Sequence, residues 1–337
     1  MAGFRWAERL ETILVRRESV IRRVVAAALR ATRPGVVDTR RAMLDRFESH
    51  RRVSVVAPSD ADLDLFRRLQ AGDHWVKHHL VVTLGALGYL VTDVDPDVVV
   101  HLFGGHEMRA PRRAVKIVWL YSFPERVRKG HLERYDRIFC ASASFTEEVR
   151  SWGFAAETLW PATSHASEPR PLAYDVVFVG NARPDGRRRV VDDMGHPAYR
   201  FSVWGRGYRD LPSRYWAGPY VEHSRLDEIY GASLVSLNDH FETMAAEFLN
   251  PRVLDILAAG GFCVSDANPA LTSLFGDAVP QYRRPAELRE LVDGFRRSPE
   301  QRKPLMEHGR RIALEHTWPD VVRRLLHGLG PAWNGSA

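Results

Sequence analysis

The segment "EFLNPRVLDILAAGGFCVSD", residues 247–266, combines a short helix with the strand that follows it. Pro251 suits the first position of a helix, and Asn250 before it is a favourable N-cap. The double glycine suits the end of the helix, so we predict a helix over residues 251–259. The apolar run 262–266 is typical of a strand buried on both faces. The segment is therefore a helix–strand unit of an α/β domain.

Charged residues surround the start of this helix. Three apolar residues share its core face: Val253, Ile256 and Leu257. Arg252 and Asp255 share another face, and Glu247 precedes the helix in a loop. A helix start with an arginine suits an anionic ligand, and two carboxylates can accept hydrogen bonds from sugar or ribose hydroxyls. The alternative is a surface helix with an Arg252–Asp255 ion pair and a solvated Glu247, and the segment alone favours neither.

Short apolar runs alternate with amphipathic stretches along most of the chain. We predict strands over residues 53–58, 89–94, 97–103, 115–121 and 136–142, and over 174–180, 200–205, 234–238 and 262–266. A helix is predicted between the first two strands, over residues 74–87. Strands this apolar indicate parallel sheets covered by helices. The fold class is therefore α/β, with two Rossmann-like domains facing a cleft.

Composition changes divide the chain into three parts. Residues 1–50 form an N-terminal helical extension, residues 51–165 the first domain and residues 166–327 the second. The segment 160–174 is rich in Pro, Ser and Ala and is the best linker candidate. The last helix is a candidate for packing back on the first domain.

The totals indicate a soluble protein of a reducing compartment. The chain has 337 residues, of which 45% are hydrophobic, and only two cysteines, both inside apolar strand-like runs. No apolar run is long enough to span a membrane, and the N-terminus lacks the apolar block of a signal peptide. We expect a cytoplasmic location.

The net charge of +6 comes almost entirely from arginine. Arginine suits phosphate, but its clusters are scattered and are not interleaved with aromatics, so nucleic-acid binding is not predicted. The basic amphipathic pattern of residues 4–31 would suit a membrane surface, yet packing on the following domain is the favoured interpretation.

The 247–266 segment resembles the Glu-x7-Glu motif of retaining glycosyltransferases with the GT-B fold, with Asp255 as the second acid. It is more closely similar to a segment of glycosyltransferases related to the spore-maturation protein CgeB. "YDVVFVGNARPDGRRR", "VWGRGY", "GPYVEHSRLDEIYGASLVSLN" and "EHTWPDVVRRLL" are similar to further segments of that group, in the same order. The resemblance covers residues 115–327 and is strong from residue 174 onward.

The resemblance implies that Glu247 holds donor-sugar hydroxyls and that Asp255 faces the nucleotide ribose. Arg252 and the backbone after Asn250 would stabilise the diphosphate, with Arg183 or Arg187 as a second cation. The implied donor-binding residues are Gly180, Asn181, Arg183, Arg187, Gly205, Tyr220, Asn250, Arg252 and Asp255.

The acceptor side is expected in the first domain. Asp73 and His74, His106 in a glycine-rich loop, and Glu125 are the candidates, since they follow strands or precede a helix. With Glu247, His106 and Glu125 are the candidate catalytic residues, and His106 suits a general base at neutral pH. An ordinary polar loop residue is the alternative for His106.

No metal site or bound cofactor is predicted beyond a nucleotide-sugar co-substrate. His74 and His78 have helical spacing for zinc but no third ligand at a fixed distance. Phosphate-loop, nucleophile-elbow and dinucleotide motifs are missing from the sequence.

These features predict a glycosyltransferase that moves a sugar from a nucleotide-diphosphate donor to an acceptor hydroxyl with retention of configuration. A nucleotide-sugar 2-epimerase-like enzyme and a non-catalytic sugar-nucleotide-binding protein are the alternatives. The acceptor can be a small molecule, a glycan or a protein.

Overall fold

A computed structural model describes residues 51–61, 72–103, 110–242 and 248–329. The N-terminal helical extension and two of the candidate catalytic residues, Glu247 and His106, lie outside these ranges.

The described residues form strands and helices that alternate along the chain. The strands are β1 (Arg52–Val56), β2 (Leu90–Val91), β3 (Val98–Phe103), β4 (Val115–Leu120), β5 (Arg137–Cys140), β6 (Ala156–Thr158), β7 (Tyr174–Val179), β8 (Phe201–Trp204), β9 (Trp216–Gly218), β10 (Ser233–Asn238), β11 (Cys263–Asp266) and β12 (Gln281–Tyr282). The helices are α1 (Gly72–Ala86), α2 (Lys129–Leu132), α3 (Ala143–Ser151), α4 (Arg189–Met194), α5 (Leu226–Tyr230), α6 (Arg252–Ala258), α7 (Pro269–Phe275), α8 (Pro285–Arg297), α9 (Pro299–Leu314) and α10 (Trp318–Leu326). Short 3-10 turns lie at Pro58–Ala61, Pro124–Arg126, His223–Arg225 and Gly276–Ala278.

The first domain contains a six-stranded sheet of order β2-β1-β3-β4-β5-β6. Every pairing in it is parallel, and Val53 of β1 lies opposite Val98 of β3. Both valines are fully buried, because helices cover the faces of the sheet and a parallel strand has no solvated side. This is the parallel α/β architecture that the sequence predicts.

The second sheet has the order β12-β11-β10-β7-β8-β9, again with parallel pairings. The chain starts in the middle with β7, builds outward to β9, and then returns to the other side of β7 with β10. This is the doubly wound order of dinucleotide-binding folds, and it reverses between β7 and β10. The prediction of two Rossmann-like domains is confirmed.

All nine strands expected from the sequence are present. The structure also has three short strands that the sequence did not predict. Strands β6, β9 and β12 have only two or three residues each, too few to show an alternating pattern. Helix α6 is one residue shorter at each end than predicted from the 247–266 segment.

The last helix packs on the first domain. Leu325 and Leu326 of α10 are buried in the same hydrophobic cluster as Leu80 and Leu84 of α1. A parallel bridge between Thr163 and Thr317 joins the interdomain segment to the start of this helix. The chain therefore crosses between the domains near residue 163 and again near residue 317.

The two sheets meet at their carboxyl ends. Phe123 follows β4 and Phe241 follows β10, and their ring centroids are 6.2 Å apart. This contact places the ends of the two sheets on opposite sides of one cleft.

Within the described ranges, no helix is both long and apolar enough to cross a membrane. Both cysteines are free and buried, and burial raises the pKa of the Cys140 thiol to about 12.

Candidate functional site

The site is built where the strand order of the second sheet reverses. Gly180 comes directly after β7 and Asp239 directly after β10, and these two strands are neighbours. Open α/β sheets bind ligands in the crevice at this point, because the loops after the two strands separate there. A ligand crevice is therefore expected at the ends of β7, β8 and β10.

Two glycines allow the loops after β7 and β8 to touch. A Cβ atom on Gly205 would lie 2.1 Å from the carbonyl oxygen of Gly180, which no side chain could tolerate. The same oxygen accepts a hydrogen bond of 2.6 Å from the Tyr208 hydroxyl. A Cβ atom on Gly180 would lie 3.0 Å from Nη2 of Arg252, so this glycine also leaves room for a guanidinium.

A buried carboxylate, Asp239, organises two arginines at this place. Asp239 is 1% exposed and accepts hydrogen bonds from Nε of Arg188, at 2.8 Å, and from its Nη2. Nη1 of Arg252 donates to Asn238 Oδ1 at 3.0 Å and lies 3.9 Å from Asp239 Oδ1. Both guanidiniums lie over the ring of Phe178, 5.1 and 5.2 Å from its centroid, which adds a cation–π attraction.

A third guanidinium, that of Arg183, lies nearby without an acidic partner. It stacks 3.3 Å above the centroid of the Phe241 ring, and it makes no hydrogen bond or ion pair with any described residue. Burial, and next the charge of Arg188, lower its pKa to about 10, so it remains a cation at neutral pH. Three guanidiniums thus lie near two carboxylates, Asp239 and Asp266, so cations are in excess at this site.

Of Arg183 and Arg187, the two candidates for a second cation, the structure places Arg183 near Arg188 and Arg252, whereas Arg187 is on the surface. Nε of Arg187 pairs with Asp192 at 3.0 Å, and its side chain is 66% exposed. The chain turns at Gly186, whose φ is +83°. After this turn, Arg187 points towards solvent and Arg188 towards the interior. Arg188 is 6% exposed, and the sequence offered no signal that would single it out from its neighbours.

Two asparagines hold the loops rather than extend into open space. Asn181 Oδ1 accepts a hydrogen bond of 3.0 Å from the backbone of Arg206, which ties the loop after β7 to that after β8. Asn250 Oδ1 accepts from the backbone N–H of Arg252 at 3.1 Å, and its Nδ2 donates to the Asp239 carbonyl at 3.0 Å. The N-cap position of α6 is Pro251, one residue later than predicted, but the Asn250 side chain still accepts a hydrogen bond from the first N–H of the helix and ties it to the end of β10.

Asp255 faces the interdomain segment. Its Oδ1 accepts a hydrogen bond of 2.7 Å from the Thr163 hydroxyl and lies 3.9 Å from Nε2 of His165. These contacts occupy one oxygen of the carboxylate that the resemblance assigns to ribose. Tyr220, the remaining donor-side candidate, is 37% exposed in the loop after β9.

Histidine and tryptophan rings from several elements meet between the domains. His79 of α1 approaches His223 of the second domain, with 3.3 Å between their Nε2 atoms. Trp75 stacks on His223 at 4.7 Å and 16°, and Trp318 stacks on His79 at 5.2 Å. Among the described residues, no group of three or more His, Cys, Asp or Glu has the arrangement of a metal site.

The charge states within this cluster differ. Burial, and then the charge of His223, lower the pKa of His79 to about 3. Burial also lowers the pKa of His223. Burial opposes protonation of His165 too, but its hydrogen bond to Asp227 and the charges of Asp255 and Asp227 raise its pKa overall. Protonation is therefore favoured at His165 and disfavoured at His79 and His223. The sequence could not predict this arrangement, because its members come from four separate segments.

A second His–Asp pair lies at the ends of β10 and β11. Nδ1 of His240 lies 2.6 Å from Asp266 Oδ1, and the His240 backbone N–H donates to Asp266 Oδ2 at 3.0 Å. Burial raises the pKa of Asp266, but these bonds and the charge of His240 lower it overall. The pair fixes the loop that continues into Phe241.

Within the described ranges, no hydrogen bond or ion pair joins Glu125 to the other acceptor-side candidates, Asp73 and His74. His74 lies in α1, edge-on to Trp75 with 5.7 Å between their centroids, and Asp73 is in the first turn of the same helix. The Glu125 side chain is 42% exposed, 3.7 Å from Nε of Arg126. Glu125 follows Phe123 and so lies beside the cleft, whereas His106 and Glu247 are outside the described ranges.

Comparison with known proteins agrees with this geometry. A family model described as glycosyl transferase-like matches residues 185–327, which contain Arg188, Asp239 and Arg252. No curated protein matches the chain significantly.

Solved structures match over both domains. The β-glucosyltransferase of phage T4 in complex with its UDP-glucose substrate is 12% identical, with a TM-score of 0.53 over 82% of this chain and 99% of that one. Anabaena HepE in complex with UDP and glucose is 10% identical, with a TM-score of 0.52 over 74% of this chain and 81% of that one. The chain therefore has the GT-B fold. The match to the glycosyl transferase-like family model lies within its second domain.

Proposed function

We propose that the protein is a glycosyltransferase that takes a sugar from a nucleoside-diphosphate donor. The observation that supports this most directly is the group of three guanidiniums at the ends of β7 and β10: Arg183, which is partly buried and makes no ion pair with a described residue, lies beside Arg188 and Arg252. These cations outnumber the nearby carboxylates Asp239 and Asp266, and a diphosphate supplies two negative charges at the crevice where α/β folds bind nucleotides. The structures of similar fold named above contain UDP, so UDP-sugars are the first donors to test.

The site suits departure of a diphosphate. When the bond between the anomeric carbon and the diphosphate oxygen breaks, negative charge grows on that oxygen. Fixed guanidiniums lower the barrier because they attract this charge more strongly in the transition state than in the bound donor. Asp239 and Phe178 hold two of these guanidiniums in place before the donor arrives.

The acceptor hydroxyl would form the new bond to the anomeric carbon and lose its proton. Retention of configuration belongs to the proposal, with the acceptor attacking from the face that the diphosphate leaves and the phosphate receiving the proton. Glu247 is proposed to hold the donor sugar. Glu125, which lies beside the cleft, is a further candidate to bind the acceptor.

Calorimetric titration with UDP, GDP, dTDP and ADP tests the donor assignment. We expect one of them to bind, and Arg252→Ala to weaken its binding by about 1.5–3 kcal/mol, the range for a charge-assisted bond. Arg187→Ala is the matched control, since this exposed arginine should leave binding unchanged. Absence of binding by all four nucleotides would refute the proposal.

An assay with labelled donor tests the reaction class. Transfer to an added acceptor, abolished by Glu247→Ala while nucleotide affinity persists, is the expected result. Conversion of the donor into its 2-epimer without an acceptor would instead identify an epimerase.

A further inference from the structure

Four side chains form a chain of ring contacts across the cleft. Cζ of Arg126 lies 4.5 Å from the centroid of the Phe123 ring, and the Phe123 and Phe241 centroids are 6.2 Å apart at an interplanar angle of 50°. Arg183 completes the stack, 3.3 Å above Phe241. We call this set the cleft stack.

The cleft stack joins the two domains at a functional position. Arg126 and Phe123 follow β4 of the first sheet, whereas Phe241 follows β10 of the second. Arg183 belongs to the loop after β7 and to the arginine cluster at the proposed diphosphate site. A contact between the two sheets therefore ends on a residue that would touch the donor.

The position of the Arg183 guanidinium depends on an aromatic ring more than the positions of the Arg188 and Arg252 guanidiniums do. Arg188 is held by Asp239 and Arg252 by Asn238, through hydrogen bonds of defined direction. The Arg183 side chain makes no hydrogen bond or ion pair with a described residue, and it lies over the Phe241 ring. A cation over a ring is held by the quadrupole of that ring, so its position follows the ring when the ring moves.

The backbone at Phe123 supports a special role for this residue. Its φ is +52°, and among the described residues only Asp95 is another non-glycine residue with a positive φ. A bulky side chain in this left-handed region costs energy, and such strain is retained where surrounding contacts enforce it, often at functional sites. Here the strained residue is the one that reaches across to the other domain.

We propose that Phe123 and Phe241 are positioning residues that make the placement of Arg183, and thus donor affinity, depend on closure of the cleft. This rests on the proposed function, because it takes the arginine cluster as the diphosphate site. When the domains separate, Phe241 loses Phe123 as its neighbour and Arg183 loses its fixed support. When they close, the cleft stack holds the guanidinium beside the diphosphate. A residue of the acceptor-side domain thereby controls donor binding without touching the donor.

A double-mutant cycle on nucleotide binding tests the coupling. Calorimetry would measure the affinity of the tightest-binding nucleotide of UDP, GDP, dTDP and ADP in four proteins: wild type, Phe123→Leu, Arg183→Ala and the double variant. We expect Phe123→Leu to weaken binding by about three- to tenfold, a range consistent with a cation–π contact. In the Arg183→Ala background the same change should have no effect, because the coupled residue is gone.

Ring-preserving variants separate this role from a merely structural one. Phe123→Tyr and Phe241→Tyr keep the stack and should bind nucleotide as the wild type does, whereas Phe241→Leu should resemble Phe123→Leu. Phe241 is 44% exposed, so its replacement leaves the fold intact even if Phe123→Leu unfolds.

The outcomes distinguish the two proposals. If Arg183→Ala weakens binding but Phe123→Leu and Phe241→Leu leave it unchanged, or if the losses add in the double variants, the coupling is overturned and the donor site stands. If the wild type binds none of the four nucleotides, the proposed function and the coupling both fail.

Discussion

Gly205 approaches Gly180 so closely that a Cβ atom on the former would lie 2.1 Å from the carbonyl oxygen of the latter. The two glycines end neighbouring strands, and their contact sets the shape of the loops on which Arg183 and Arg188 lie.

Gly205→Ala should therefore distort the donor side of the cleft. A Cβ cannot be placed without moving backbone, so we expect a loss of about 1–3 kcal/mol in the free energy of unfolding, as for other overpacked sites. Nucleotide affinity should also fall, because the loop after β7 must shift. Urea denaturation and calorimetry measure the two effects. Gly294→Ala is the control: nothing lies within 4 Å of its Cβ position in helix α8, so stability should be kept or slightly increased.

Arg188→Ala should destabilise the protein far more than Arg187→Ala. Removal of Arg188 takes away two hydrogen bonds of the buried Asp239 carboxylate and leaves Arg252 at 3.9 Å, and breaking a buried pair costs about 3–5 kcal/mol. Arg187 is exposed and its pair with Asp192 is on the surface, so its loss should change stability by less than about 0.5 kcal/mol. Equal effects of the two substitutions in urea denaturation would contradict the description of Arg188 as buried and Arg187 as exposed.

The local pattern of the sequence predicted the elements but not which arginine faces inward. Apolar runs and the Asn-Pro and Gly-Gly punctuation of the 247–266 segment are local signals, and they located helix α6 to within a residue at each end. In the run "GRRR", residues 186–189, by contrast, three identical side chains follow one another, and the local pattern does not distinguish them. The direction of Arg188 follows from the turn at Gly186 and from Asp239, 51 residues further along the chain.

Contacts between distant segments also decide the surroundings of Asp255. Thr163 and His165 belong to a segment that the sequence identified as a linker from its composition, and nothing in that composition indicates a hydrogen bond to α6. The interdomain rings were likewise invisible, because Trp75, His165, His223 and Trp318 meet only in the fold. The positions of the loops around a site depend on contacts between distant segments, and the local pattern of a sequence does not show which segments meet.

The interdomain histidines should make stability fall on acidification. The pKa of His79 is lowered to about 3 from an ordinary value of 6.5, so below pH 6.5 the unfolded chain binds a proton that the folded chain does not. Stability is then complete above pH 6.5 and is lost as the pH falls towards 3, with a slope of up to about 1.4 kcal/mol per pH unit. His165 works in the opposite direction, since its raised pKa stabilises the fold below 6.5 and this contribution is lost as pH rises.

Urea denaturation of wild type and His79→Gln at pH 7 and pH 5 measures this contribution. We expect the wild type to lose about 2 kcal/mol more than the variant over this interval, from the slope above. His223 also has a lowered pKa and remains in the variant, so part of the acid sensitivity should persist. His308→Gln, on an exposed side of helix α9, is the control and should follow the wild type. Parallel curves for all three proteins would show that His79 is not desolvated as the structure describes.

Asp255→Asn distinguishes a support of the interdomain segment from a ribose ligand. The carboxylate accepts a hydrogen bond from Thr163 and lies near the His165 imidazole, so the substitution should weaken a charge-assisted contact and lower the free energy of unfolding by about 1–3 kcal/mol. If the carboxylate serves the interdomain segment, nucleotide affinity should change by less than about twofold, because the diphosphate would be held by the arginines. Thr163→Val removes the same hydrogen bond from the other side, and a double-mutant cycle of the two should show strong coupling in stability. A tenfold or larger loss of UDP affinity in Asp255→Asn, with Thr163→Val unaffected, would instead assign the second oxygen of this carboxylate to the ribose hydroxyls.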